Sequence, residues 1–467
     1  MKLRPAPCVL CLLWVAGCAV GPNYKTPDAH APAAFRGEES SPTNSLGDLP
    51  WWQLFQDPAL QALVQTALTN NYDLRVAVAR VEESRALLAQ SRSQFYPQLT
   101  YQGASGASRN VLAGAPYDSG GGGGKGNDLA GSVSWEIDFW GRIRRLNESA
   151  RAGYFATEEA RRNVMTSLIA SVAQSYFQLL ALDEELTIAQ ETTNSFGQSL
   201  KIFRDRLGGG VSSKLETSAA EAALASAAAT IPELRRQIAL QENQIRVLLG
   251  FNPGPVARHP GALQTESLPD IPAGLPSALL ERRPDIRQAD QLMRAANARI
   301  GVAQANFYPR VALTGLFGEV SPELTPFNGG AAGAWSAAGN LAGPIFEGGL
   351  LKGQLRQAQA AWDEARFQYQ STVLNAFQEV SDALVSRQEL ARERLDQSRA
   401  VAAYQEAVQV ANQRYLGGQA SYYELLQEQQ LLFPAQNALT QTLLNQLLAT
   451  VQLYKALGGG WNVGARP

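Results

Sequence analysis

The chain has 467 residues, of which 45% are apolar and 18% are charged, so it has ample material for a buried core. Its formal net charge is −2, which excludes the strongly basic surface that nucleic-acid binding requires. All three cysteines, Cys8, Cys11 and Cys18, lie at the N-terminus, so the rest of the sequence offers no disulfide framework and no cysteine-based zinc site.

The N-terminus has the pattern of a secretory signal. A short positive region is followed by an apolar run over residues 8–16 and by small residues before Cys18. The segment Val15-Ala16-Gly17-Cys18 resembles a bacterial lipobox, which implies cleavage after residue 17 and lipidation of the Cys18 thiol. A plain signal peptide with a chance cysteine is the alternative. Ala19 stands where an Asp tends to hold bacterial lipoproteins in the inner membrane, so this resemblance favours the outer membrane.

The rest of the chain is similar to itself. Asn71-Tyr72-Asp73-Leu74-Arg75 resembles Arg283-Pro284-Asp285-Ile286-Arg287 at an offset of 212 residues, and the same offset maps Phe95-Tyr96-Pro97 onto Phe307-Tyr308-Pro309. Further on, Arg206-Leu207-Gly208-Gly209-Gly210 maps onto Arg414-Tyr415-Leu416-Gly417-Gly418 at an offset of 208. These matches predict an internal duplication, in which each half contains a helix, two strands, a long helix and a second helix.

Each repeat begins with a predicted amphipathic helix. In the first repeat an apolar stripe at helical spacing contains Leu74, Val78, Val81 and Leu88. Pro97 ends this segment and Pro309 ends its counterpart, because proline donates no backbone N–H and pushes the preceding residue into extended geometry.

Alternating sequences after these prolines predict β-strands. No run of 18 apolar residues follows the signal, so we predict no transmembrane helix, and a membrane crossing would use strands. The apolar members are Leu129, Val133, Trp135, Ile137 and Phe139, then Val311, Leu313 and Phe317, then Trp335, Leu341 and Ile345. One apolar and one polar face suit lipid outside and water inside, although a half-buried soluble sheet has the same pattern. Aromatic residues at the strand ends favour the membrane interpretation, since they resemble an interfacial girdle; they are Phe95, Tyr96, Trp135, Phe139, Trp140, Phe307, Tyr308 and Phe346.

A long predicted helix follows each strand pair. Residues 141–207 and 348–416 contain no proline, and each would be about 100 Å long at 1.5 Å per residue. In the second, a coiled-coil-like seam steps by threes and fours through Leu355, Ala358, Trp362, Ala365, Tyr369, Val373, Ala376 and Val380. Gly-rich turns at 208–210 and 417–418 end the long helices, and a returning helix follows each, with an expected kink at Pro232 or Pro434. Residues 108–127 and 321–334, between the strands, are predicted external loops.

Four strands of this kind cannot close a barrel alone. In lipid, the N–H and C=O groups of an open sheet edge have no partner, and known single-chain membrane barrels begin at eight strands. Three copies would supply twelve strands, so a homotrimer follows if the strands lie in the membrane.

Several motifs occur together along the mature chain. They are the lipobox, Trp51-Trp52-Gln53-Leu54-Phe55-Gln56-Asp57-Pro58, the paired Phe-Tyr-Pro stops, Trp135-Glu136-Ile137-Asp138-Phe139-Trp140-Gly141-Arg142, Glu281-Arg282-Arg283-Pro284-Asp285-Ile286 and Leu457-Gly458-Gly459-Gly460-Trp461. In combination they resemble the NodT-type lipoprotein branch of the TolC-like outer-membrane efflux channels. The resemblance implies a mainly α fold with a transmembrane β-barrel portion, in which a homotrimer places a 12-stranded barrel on an α-helical barrel.

The same resemblance implies the function and the partners. The protein would be an outer-membrane channel of a tripartite efflux system, lipid-anchored, extending into the periplasm and without a cofactor. It would passively export small molecules, docked to a periplasmic adaptor (membrane fusion) protein and an inner-membrane resistance-nodulation-division pump. The implied organisation is a signal peptide (1–17), a lipidated N-terminal segment with an equatorial part (18–70), repeat 1 (71–250), an inter-repeat equatorial linker (251–282), repeat 2 (283–458) and a C-terminal tail (459–467).

The Gly-rich turns would form the periplasmic aperture, which closes the channel and opens when the inner hairpins untwist. The candidate aperture residues are Gly209, Gly210, Ser213, Glu216, Gly417, Gly418, Gln419, Ala420, Ser421 and Glu424. Relatives often have Asp in the second turn, whereas this sequence has Gln419-Ala420-Ser421, so an aspartate ring is not expected there. Glu216 or Glu424 could replace it, or each could be a solvated charge at a helix start, where the dipole favours an acid.

Glu136 and Asp138 are candidates for a lumen-facing acidic pair that would favour cations. The alternative is that both carboxylates simply face water at a strand end.

Three rival functions can be stated. A channel for type I protein secretion would share the fold, and the lipobox and the Leu-Gly-Gly-Gly-Trp ending favour the efflux branch over it. A periplasmic coiled-coil scaffold would need no alternating strands. An enzyme is rejected, because the sequence has no Ser-His-Asp set, no nucleotide loop and no histidine-based metal site; His259 lies in a Pro/Gly-rich turn, where a solvated residue is expected.

Overall fold

A computed structural model of the chain describes residues 19–29, 31–36, 45–108, 124–210, 212–259, 261, 263, 273–274, 276–321 and 333–461. The signal peptide and Cys18 therefore lie outside the described residues, as does most of both predicted external loops. The elements are a 3₁₀ turn Leu46–Asp48, α1 Trp51–Leu54, α2 Pro58–Asn70, α3 Tyr72–Ser93, β1 Gln98–Ser108, β2 Gly124–Ile137, α4 Arg142–Gly208, α5 Lys214–Leu248, α6 Pro276–Arg282, α7 Pro284–Ala305, β3 Arg310–Ser321, β4 Gly333–Ala342, α8 Leu350–Leu416 and α9 Tyr422–Ala456.

The helix α3 confirms the predicted apolar stripe except at one position. Leu74, Val81 and Leu88 are buried, but Val78 is 46% exposed and Ala77 is buried in its place. Both positions are compatible with a period of 3.6 residues, and the prediction chose Val78 because its apolar side chain is larger than that of Ala77. The buried stripe therefore steps from Leu74 to Ala77 to Val81.

The four strands form one antiparallel sheet in the order β1-β2-β3-β4. The registers place Leu99 opposite Val133, Trp135 opposite Leu313, and Phe317 opposite Trp335. Three boundaries differ from the sequence prediction. β2 begins at Gly124, inside the predicted loop 108–127, and ends at Ile137, so Phe139 lies beyond the sheet. β4 ends at Ala342, so Ile345 also lies beyond the sheet. Pro344 explains the end of β4, since it has no N–H for a ladder hydrogen bond.

The long helices confirm the predicted hairpins. α4 and α8 contain 67 residues each, and α5 and α9 contain 35 residues each. The predicted seam of α8 is its shielded face, because Tyr369, Val373, Ala376 and Val380 are buried. Pro232 and Pro434 lie inside the uninterrupted helices α5 and α9.

One described helix, Arg142–Gly208, is long and apolar enough to cross a membrane by composition alone. Its most apolar 18-residue window is 72% buried within the protein, as in the core helix of a soluble domain. The prediction that strands rather than helices cross the membrane therefore remains a prediction.

The chain divides into two compact units. One takes its described residues from 1–28, 80–158 and 288–370, and the other from 29–79, 159–287 and 371–467. Each unit thus combines parts of both predicted repeats. The second unit has an aromatic core in which the Phe55 ring lies 6.3 Å from both the Phe177 and the Tyr454 rings. The Trp-Trp-Gln-Leu-Phe motif therefore contributes to the core of this unit.

Candidate functional site

The two Gly-rich turns have related backbone geometry. Gly210 and Gly418 adopt φ values of +73° and +72°, a region that favours glycine because it has no Cβ. In the second turn the Gly418 N–H donates to the Tyr415 carbonyl at 3.1 Å, and the Gln419 N–H donates to the Arg414 carbonyl at 2.8 Å. This pair of bonds is the Schellman arrangement that ends a helix, and it explains why the turn needs glycine.

The first turn is completed by a capping box at the start of α5. The Ser213 hydroxyl accepts a hydrogen bond from the Glu216 N–H at 3.2 Å, and the Glu216 carboxylate accepts from the Ser213 N–H at 2.8 Å. The Ser212 hydroxyl also donates to Glu216 at 2.5 Å. This hydroxyl, followed by the Ser213 backbone, holds the pKa of Glu216 below its ordinary value. The Glu216 carboxylate therefore stabilises this turn through its hydrogen bonds with Ser212 and Ser213.

The second turn lacks the matching cap. The Ser421 side chain makes no capping bond at the start of α9, and Glu424 instead lies 3.4 Å from Arg414, across the turn. Both of these charged side chains are about half exposed. Gln419 and Ser421 are exposed and Ala420 is partly buried, so the second turn presents a neutral surface apart from the Arg414–Glu424 pair.

An aromatic cluster lies behind the two turns, and sequence reasoning did not find it. The Phe203 ring is 3.9 Å from the Tyr422 ring and 5.8 Å from the Tyr415 ring, centroid to centroid. Arg206 donates a hydrogen bond to the Tyr415 hydroxyl, and its guanidinium carbon lies 4.7 Å from the centroid of the same ring. Burial raises the pKa of Tyr422 to about 12. The cluster joins the first hairpin to the second within one chain.

Glu136 and Asp138 lie where β2 meets α4, and both have partners. Glu136 accepts two hydrogen bonds from Arg142, each 2.8 Å long. The Asp138 carboxylate accepts from the N–H groups of Ile143 at 3.0 Å and Arg144 at 2.9 Å, which caps the start of α4. These contacts give both carboxylates a structural role, and a lumen-facing role for them remains a prediction.

Three of the aromatic residues at the strand ends make specific contacts, whereas Tyr96 and Phe346 are exposed. The Trp140 and Tyr308 rings stack with centroids 4.5 Å apart, and the Trp140 indole donates to the Pro309 carbonyl at 2.8 Å. The Trp135 indole donates to the Phe95 carbonyl at 3.0 Å. An amphipathic ring with a satisfied N–H is the type of side chain found at a membrane interface.

The N-terminal residues 19–26, which we call the strap, are held against this junction. The Val20 N–H donates to the Trp140 carbonyl at 3.0 Å, and Arg145 donates to the carbonyls of Val20 at 3.2 Å and Gly21 at 3.1 Å. A Cβ on Gly301 would lie 2.9 Å from the Val20 carbonyl oxygen. The strap therefore needs a glycine at position 301, and Cys18, the predicted lipidation site, lies outside the described residues.

Among the described residues, no group of three His, Cys, Asp or Glu side chains could hold a metal ion. The candidate site residues therefore take part in hairpin turns, helix caps and contacts between aromatic rings.

Comparison with known proteins supports a transport role for this architecture. The family model described as outer membrane efflux protein matches residues 63–251 and 275–459. The chain is 37% identical, over 96% of its length and 93% of the relative's, to the toluene efflux pump outer membrane protein TtgC of Pseudomonas putida. It is 33% identical to the probable outer membrane lipoprotein SilC of Salmonella typhimurium, over 96% of both chains. The open-state structure of the Neisseria gonorrhoeae MtrE outer membrane channel is 30% identical, with a TM-score of 0.86 over 95% of this chain and 99% of that one.

Proposed function

The chain belongs to the outer membrane efflux protein family and is an outer-membrane channel of an efflux system, and we propose that three copies of it form one conduit. The family is one of channels rather than enzymes. The relatives described above are efflux proteins and outer-membrane proteins, which favours efflux over type I protein secretion.

The observation that carries the trimer proposal is the four-stranded sheet. Among the described residues, β1 and β4 each pair with a strand on one side only. Apolar side chains also project from these strands, since Tyr101 is 88% exposed and Trp335 is 81% exposed. In lipid, an unpaired strand edge costs several kcal/mol per free backbone group. Pairing β4 of one copy with β1 of the next satisfies both edges, and three copies give a closed barrel of twelve strands.

The two halves of each chain are best explained as repeats of one duplicated unit. Each carries a helix, an antiparallel strand pair, a helix of 67 residues and a helix of 35 residues. We propose that the turns at 208–213 and 417–421 form the aperture of the conduit. The contact between Arg206 and Tyr415 supports this role, because it links the two hairpins directly behind the turns.

The remaining assignments follow from the family. A periplasmic adaptor and an inner-membrane resistance-nodulation-division pump are the proposed partners, and small molecules such as drugs, metabolites or toxic compounds are the proposed cargo. Lipidation of Cys18 is proposed from the lipobox. Acyl labelling tests it, and a Cys18→Ser chain that still takes up label would refute it.

Conductance in planar lipid bilayers tests the channel. The purified protein should have the mass of three chains in mild detergent and give discrete single-channel currents. A monomer that produces no current would overturn the proposed assembly.

The same assay tests the aperture. Arg206→Gln and Tyr415→Phe remove the link between the hairpins and should raise the mean current. Arg399→Gln removes the same charge as the first variant at an 80% exposed position and should not change the current. Equal currents in all of these proteins would refute the aperture assignment while leaving the channel itself intact.

A further inference from the structure

A cavity of about 420 Å³ lies in the first compact unit, between the segment that follows α3, the first turns of α4, and α7. This volume is in the range of small-molecule sites. Its lining includes Phe95, Arg144, Asn147, Arg151, Gln291 and Arg294. None of the lining residues belongs to the hairpin turns or to the strands.

The cavity has an excess of positive charge. Three arginines line it, of which Arg144 pairs with Asp138 at 3.2 Å and Arg294 lies 3.9 Å from Glu148, the one carboxylate of the lining. This carboxylate is already engaged, since Arg145 donates to one of its oxygens at 2.8 Å. Among the residues that the structure describes, Arg151 has no ion pair, and its guanidinium lies 5.6 Å from the centroid of the Phe155 ring. A guanidinium that lacks a carboxylate at a cavity wall favours an anionic ligand.

Two amide groups of the lining carry atoms that are buried and without a hydrogen-bond partner within the described part of the chain. They are Asn147 Nδ2, which is a donor, and Gln291 Oε1, which is an acceptor. A buried polar atom without a partner costs about 1–3 kcal/mol, so each needs an explanation. One ligand that carries both an acceptor and a donor would satisfy the two atoms together.

The position of the cavity indicates where such a ligand comes from. Phe95 lies three residues before β1, and Arg144 to Arg151 cover the first turns of α4, which follows β2. At 1.5 Å per residue, Arg151 lies about 14 Å along α4 from its first residue. The stacked Trp140 and Tyr308 rings lie at the same strand ends. If the strands span the outer membrane, the cavity opens next to the headgroups of its periplasmic leaflet.

We propose that this cavity binds the phosphodiester headgroup of a membrane phospholipid. The phosphate oxygens accept hydrogen bonds from Arg151 and Asn147, while a hydroxyl or ammonium group of the headgroup donates to Gln291. Phe95 and Phe155 contact the apolar part next to the glycerol. The proposal rests on the membrane position of the sheet, which belongs to the proposed channel.

Titration of the detergent-solubilised protein with short-chain dihexanoyl phosphatidylglycerol and phosphatidylethanolamine, followed by native mass spectrometry, tests the site. The protein should bind saturably, with one lipid per chain. Arg151→Gln removes a charge-assisted hydrogen bond and should weaken binding by at least about tenfold. Asn147→Asp, which replaces the donor by a negative charge in nearly the same shape, should weaken it comparably.

Arg356→Gln is the matched control, because it removes the same charge from an exposed position of the same unit outside the cavity. Its lipid binding should equal that of the unaltered protein. Three results would overturn the proposal: no saturable binding, equal binding by all variants, or inorganic phosphate that binds as tightly as the lipids. Loss of the trimer in Arg151→Gln without loss of lipid would also overturn it, since a neighbouring subunit would then occupy the cavity. Bilayer conductance of the same preparations separates a failure of this site from a failure of the channel itself.

Discussion

Removal of the Phe203 ring should loosen the tips of both hairpins. This side chain is 1% exposed and packs against Tyr415 and Tyr422 in a buried cluster that also contains Phe196 and Leu200. A buried aromatic side chain removes about 150–250 Å² from water, which at about 25 cal/mol per Å² is worth about 4–6 kcal/mol. Measured Phe→Ala changes in protein cores cost about 3–5 kcal/mol, in agreement with this value.

Hydrogen–deuterium exchange followed by mass spectrometry measures the loosening locally. If tip opening becomes easier by about 3 kcal/mol or more, amides in residues 196–207 and 411–426 should exchange at least about 100-fold faster in Phe203→Ala. Phe367→Ala removes the same ring at a 58% exposed position and should leave exchange at the tips unchanged. Unchanged protection at the tips in Phe203→Ala would refute the view that the aromatic cluster holds the hairpins together.

Three further predictions concern the caps and the strap. Asp138→Ala removes the two cap bonds to α4 and should lower stability by about 1 kcal/mol, seen as a lower melting temperature by circular dichroism, whereas Asp396→Ala at a 78% exposed position should have no such effect. The pKa of Glu216 is lowered in the folded protein. Its carboxylate therefore stabilises the first turn fully at pH values above 4.5, the ordinary pKa of the group, and this stabilisation is lost as the pH falls through the lowered pKa. Amide exchange at residues 212–217 should therefore rise in acid in the unaltered protein but not in Glu216→Gln, and Glu221→Gln, at a 62% exposed position, should keep the acid response. Gly301→Ala should displace the strap and speed tryptic cleavage after Lys25, because its Cβ would lie 2.8 Å from an Arg145 side-chain carbon, whereas Gly353→Ala, which has open space around it, should not; equal cleavage rates would contradict this reading of the strap.

The sequence predicted the parts of the fold that depend on local signals. The long helices were expected at 141–207 and 348–416, and they are found at Arg142–Gly208 and Leu350–Leu416. Glycines with positive φ lie just outside these ends, at Gly141, Gly210, Gly349 and Gly418, and glycine is a signal that can be read directly from the sequence. The predicted duplication depends on the same kind of signals, since both halves carry them in the same order.

Features that depend on distant contacts could not be predicted in this way. Phe203 and Tyr415 are separated by more than 200 residues, and no periodic pattern links them. The contact between the strap and Gly301 could not be predicted either, because the sequence shows only that a residue of low helix propensity lies inside a helix. Glu136 and Asp138 are a different case, since their partners Arg142 and Ile143 are only six and five residues away, but the pairing depends on how the chain turns between β2 and α4.

The two hairpin turns share one backbone design but differ in how they are stabilised. Beyond the backbone bonds, the first has a capping box, which is worth about 1 kcal/mol. The second has instead the half-exposed Arg414–Glu424 side-chain pair, and exposed pairs of this kind contribute about 0–1 kcal/mol. The second turn therefore depends more on the packing of Tyr415 and Tyr422 against Phe203. Because those rings connect it to the first hairpin, any event that separates the two hairpins removes the main stabilisation of the second turn and leaves the first turn capped.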